Sequence, residues 1–158
     1  MNTIAKNYVA IGIGSNNISR VHTMIWKCYI YNVTLSLITR VGSFFLFPHL
    51  FPLYTQNEET LSLLAALLVI NTISHPLIHI FTGTIRAALD GAGDARFATV
   101  VTIICLFIFD LGLGYILTVS CGLGIIGPSL SAVASGLVKS IVYFVRYKSG
   151  RWKNRQGI

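Results

Sequence analysis

Four long runs of apolar residues, interrupted by a sparse set of polar positions, cover 25–47, 61–85, 97–119 and 123–145. Each is close to the ~20 residues an α-helix needs to cross a hydrocarbon layer about 30 Å thick. The polar residues inside them follow a helical rhythm. Asn71, His75, His79, Thr82 and Arg86 recur at steps of three and four, which places them along one helix face. Asn32, Ser36, Arg40 and Ser43 do the same in the first run, and Ser131, Ser135 and Lys139 in the fourth. The third run holds one acid, Asp110, near its middle. An ionisable group at the bilayer centre costs about 2.5–3.5 kcal/mol on insertion scales, so these faces are expected to turn toward a bundle interior or an aqueous cavity.

Composition agrees with a membrane class. The apolar fraction is 54%, the charged fraction 11% and the mean hydropathy +0.71, against about 25% charged residues in a soluble domain. The expected fold is all-α: four antiparallel transmembrane helices joined by short connections. Residues 1–23 read as the stub of a preceding helix plus a loop, 24–147 as the four-helix unit and 148–158 as a basic tail. The helix stub, residues 4–14, is too short to span. Its central Lys6 also argues against a cleavable signal peptide.

Charge adds topology. Of the 12 Lys and Arg residues, all but Arg40 and Lys139 fall before or at the edge of the first run, between the second and third, or after the fourth. Lys and Arg mark cytoplasmic loops, which predicts a multi-pass protein of the cell (inner) membrane with both termini cytoplasmic. The connection with Glu58 and Glu59 then lies outside. A net charge of +7 gathered beside helix ends points to anionic lipid headgroups of the bilayer rather than to nucleic acid.

Candidate chemistry is confined to the polar faces. One reading is a water-accessible cavity in which Asp110 or the histidines exchange a proton or cation. The other is a structural ion pair of Asp110 with Arg40 or Lys139, with Ser and Thr hydroxyls bonded to their own helices. The spacing Ala132, Gly136, Ser140 permits close helix packing. Three motifs fall away. Gly122-Leu-Gly-Ile-Ile-Gly127 lacks the strand and distant acid of a dinucleotide site, Gly91-Ala-Gly93 lacks the Lys-Ser/Thr of a phosphate loop, and the sequon at Asn32 lies within a span. Cys28, Cys105 and Cys121 have neither disulfide-framework nor metal-site spacing. No catalytic constellation stands out, and no enzyme activity, cofactor or metal is expected.

The run from Gly83 to Phe97, Gly-Thr-Ile-Arg-Ala-Ala-Leu-Asp-Gly-Ala-Gly-Asp-Ala-Arg-Phe, resembles a turn of the multidrug and toxic compound extrusion (MATE) family of cation-coupled antiporters. The segments 109–117, 124–127 and 139–153 are similar to the end of a bacterial member, 51–59 to the external loop before the tenth helix, and 11–16 to the turn after the eighth. The resemblance implies the last four of twelve helices, part of the second six-helix lobe, in an antiporter that exchanges H⁺ or Na⁺ for amphipathic or cationic drugs. The remaining transporter helices would be its partners. It assigns Arg40, Asn71, His75, His79, Asp110 and Lys139 to the transport pathway, with His79 near the place where some members hold the coupling cation with an acid. The chain departs from the family at Asp110, where relatives often carry Arg, at Gly127-Pro-Ser129 and at Ser135-Gly136. Two rival expectations are a truncated, non-transporting remnant and a lipid-linked-sugar flippase.

Overall fold

The computed structural model describes residues 2–15, 18–54 and 57–150. The tail beyond Gly150, the side chain of Arg20 and the Asn16-Asn17 turn lie outside the described residues. All regular structure among them is helical: α1 (Asn2–Gly14), α2 (Ile18–Tyr54), α3 (Glu58–Ser74), α4 (Ile80–Gly91), α5 (Ala95–Cys105) and α6 (Ile126–Lys148). Wide π-helical turns join α3 to α4 at His75–His79 and extend α5 through Leu106–Leu113 and Ile116–Ser120. Three described stretches are long and apolar enough to cross a bilayer: Val21–Phe47, Ala95–Ser120 and Ile126–Lys148. The second expected span is helical from α3 through α4.

Several boundaries move. The first helix continues past its expected end at 47, through Pro48 and Pro52, to Tyr54. Each proline withholds only one backbone donor, and both fall within the last two turns of α2. The segment from Arg86 to Gly91, read as part of a connection, is the end of α4. Its helicity is held by burial of Ala87, Ala88 and Leu89 and an Arg86–Asp90 pair one turn apart at 3.9 Å. The chain reverses at Gly93, whose φ of +78° suits a residue without a Cβ. α6 starts at Ile126, three residues later than expected, because Gly122 and Gly124 before it are both left-handed.

α3 opens on Asn57, whose side-chain oxygen accepts from the amides of Glu59 at 2.9 Å and Thr60 at 3.4 Å. Glu58 and Glu59 complement the helix dipole there. At the opposite end of the bundle, the last turn of α6 carries Arg146 and Lys148. The hydrophobic core gathers at this basic end: Val9 of α1, Val21 and Ile25 of α2, Ile85, Ala88 and Leu89 of α4, Ala98 of α5, and Tyr143 and Tyr147 of α6. α1 lies so close to α4 that a Cβ on Gly91 would strike the Lys6 carbonyl. Toward the far end α2 stands apart, with Leu37, Ile38, Val41, Phe44, Phe45 and Leu46 exposed.

Candidate functional site

Pro76 is the second residue of the π turn, and its ring nitrogen has no proton to offer the preceding helical turn. The helix widens instead, and the Ile80 amide bonds the His75 carbonyl five residues back. Such turns concentrate at functional sites. Here the turn brings the His75 and His79 rings to 5.8 Å between centroids, facing α2. His75 Nδ1 shares a hydrogen bond with Ser36 Oγ at 3.2 Å. Around them opens a cleft of about 410 Å³ lined by Asn32, Leu35, Ser36, Thr39, Arg40, His75, His79 and Ile80. Ligand pockets of small molecules range over about 300–1,000 Å³.

α6 closes on the other side of the π turn. Gly136 lets it approach, since a Cβ there would lie 2.6 Å from Ile78 Cγ2 and 3.6 Å from His79 Cε1. One turn further along, the Thr82 and Ser140 hydroxyls hydrogen-bond across the two helices, so the small-residue spacing does mark a close helix contact. On the same helix Lys139 Nζ donates to Asp110 Oδ2 at 3.4 Å, with the side chains 18% and 27% exposed. Sequence alone left Arg40 and Lys139 as rival partners for Asp110, and the structure selects Lys139. His79 lies within the electrostatic reach of Lys139, Arg40 and Asp110 together, so it joins the cleft to the ion pair.

Five of the six pathway candidates thus converge: Arg40, His75 and His79 at the cleft, Asp110 and Lys139 behind it. Asn71 does not join them. It is exposed, and its amide donates to the Leu67 carbonyl of its own helix at 2.8 Å. Ser43 likewise bonds the Thr39 carbonyl at 2.8 Å on an exposed face. These polar residues satisfy themselves locally and need no shared interior.

A second cluster at the basic end escaped sequence reasoning. Asp94, fully buried, accepts from Arg146 Nε at 2.7 Å and Nη2 at 3.3 Å. The same guanidinium covers the Phe97 ring at 4.7 Å. Beside it Arg86 Nη1 donates to Thr102 Oγ1 at 3.1 Å, Thr102 Oγ1 lies 2.8 Å from the Tyr143 hydroxyl, and that hydroxyl donates to the Ala98 carbonyl at 2.9 Å. The available signal was Asp94 directly after a turn glycine, where a charged residue with no solvent-facing run around it needs a partner.

Among the described residues no group of three or more His, Cys, Asp or Glu is placed to hold a metal ion. Comparison with known proteins adds the family. The MatE family profile matches residues 3–116. The chain is 24% identical over 140 residues to the "Uncharacterized transporter YisQ" of Bacillus subtilis (strain 168), an alignment covering 89% of this chain and 30% of that protein. The chain therefore spans about a third of the length of that relative. No solved structure matches it. All-helical, with spans of membrane-crossing length and an ionisable cluster between them, the chain belongs to the MatE family of membrane transporters.

Proposed function

We propose that the chain forms the C-terminal part of a cation-coupled efflux antiporter for amphipathic small molecules, seated in the cell membrane with both termini cytoplasmic and working with further transporter helices. The observation that carries this reading is the Asp110–Lys139 pair, half-shielded within two spans and reached electrostatically by His79. A proton arriving at Asp110 removes the carboxylate charge that holds Lys139. α6 then loses its tie to the π-helical part of the neighbouring span, and the balance between lobe conformations shifts by the difference in proton affinity between them. His79 lines the cleft from which a proton would reach the pair. Na⁺ has a weaker case: a lone carboxylate already engaged by an ammonium provides few of the oxygens a hard cation needs. The cleft beside Arg40, His75 and His79 supplies the substrate-facing surface.

The test is efflux of an amphipathic dye by the complete transporter, followed across external pH. Asp110→Asn is expected to abolish the pH dependence while the protein still reaches the membrane. Unchanged efflux with an unchanged pH profile removes Asp110 from the mechanism.

A further inference from the structure

Among the described residues lining the cleft, Arg40 is cationic and His75 and His79 can become so; the Thr39 hydroxyl is turned to the carbonyls of its own helix and Ser36 to His75. No carboxylate is among the described lining residues. Arg40 enters none of the ion pairs formed by the described residues, where Asp90, Asp94 and Asp110 are taken by Arg86, Arg146 and Lys139. The Asn32 amide nitrogen is buried without a hydrogen-bond partner. A half-buried guanidinium inside an apolar span is costly unless something answers its charge, and a donor left unsatisfied adds to that cost. Arg40 and Asn32 both line this one cavity.

We infer that this cleft binds an anionic group, a carboxylate or a phosphate, carried by an amphipathic ligand. Arg40 grips it through its planar fork, which matches the spacing of two oxygens. The histidines reinforce it whenever they are protonated. Leu35 and Ile80 provide the apolar wall for the ligand's tail. Lys139 stays out of this site, neutralised by Asp110 on the other side of the π turn. The inference rests on the transporter reading and fixes the sign of charge its substrate carries at this station: negative, where the family resemblance implies a cation. Two sources share this chemistry, the headgroup of a bilayer lipid and a free amphipath.

The test uses the 158-residue chain in phosphatidylcholine nanodiscs, titrated calorimetrically with decyl phosphate and with decyltrimethylammonium. Decyl phosphate is expected to bind about tenfold more tightly, the loss that a charge-assisted hydrogen bond of this kind brings when absent. Arg40→Gln is expected to erase that preference, and Arg40→Lys to restore part of it by keeping charge without the fork. Inorganic phosphate is expected to compete with decyl phosphate on the unaltered chain, a readout independent of how the variants fold. Equal or tighter binding of the ammonium, or no competition by phosphate, overturns the inference. Repeating the titration in phosphatidylglycerol nanodiscs separates the sources: a lipid headgroup in the site weakens decyl phosphate there, and a site for free amphipaths leaves its affinity unchanged. Anion binding that survives while Asp110→Asn leaves transport untouched sinks the coupling mechanism and keeps the site.

Discussion

Two ion pairs tie α6 to the rest of the bundle, through Arg146 and, two turns earlier, through Lys139. Arg146 meets Asp94 in a two-pronged contact, 2.7 and 3.3 Å long, with the carboxylate wholly buried. Lys139 meets Asp110 through one contact of 3.4 Å, and both side chains keep some exposed surface. The first stands in the packed core beside Tyr143 and Ala98 and is braced by Phe97. The second stands where the helices begin to part, next to the cleft. A paired charge that is fully enclosed holds its elements in place, since separating it strands a charge away from water. A pair that is reachable and singly bonded can be opened by one proton. The difference divides the molecule into a fixed basic end and a responsive middle.

Breaking the enclosed pair is expected to have the largest effect. Asp94→Ala strands Arg146 against a protein interior, and the thermal unfolding of the detergent-solubilised chain is expected to show a loss of about 3–5 kcal/mol. A loss below that of the Asp110 variant would reverse the ranking of the two pairs. Next comes the contact that separates them: Gly136→Val pushes a side chain into Ile78 and His79, an overpacking expected to cost about 1–3 kcal/mol in the same assay. Asp110→Asn is expected to cost least, less than about 1 kcal/mol, as partly solvated pairs do. Its effect should surface in pH-dependent transport instead. A stability loss matching that of Asp94→Ala would make Asp110 a structural residue.

Sequence made the spans legible because hydrophobic length is a one-dimensional property, and it located the reversals at Gly93 and Gly122 because a positive φ demands glycine. It placed Arg40, His75, His79 and Lys139 on inward faces by periodicity, and Asp110 by the cost of an acid in mid-span. Periodicity names a face and not the neighbour across from it, which is why the partner of Asp110 stayed open until Lys139 was seen beside it. The Arg146–Asp94 contact joins residues 52 positions apart, and no local pattern announces so distant a meeting. Asn71 shows the opposite failure. Its spacing was right, yet a polar side chain that bonds its own backbone has no reason to turn inward.

The wide turn at His75–His79 carries a consequence for the helix as an angular ruler. An α-helix turns its side chains by about 100° per residue, and a turn closed five residues back takes in one residue more than an α turn does. Everything after Ile80 is therefore set back by one angular step relative to everything before Ser74. The two halves of this span run out of phase: Asn71 looks outward while Thr82 meets α6. Pro76 keeps the books of that offset. Deleting or inserting a single residue within the turn rotates the lipid-facing and buried sides of the whole following segment, so the spacing between Ser74 and Ile80 sets the alignment of Arg86, Asp90 and the basic end beyond them.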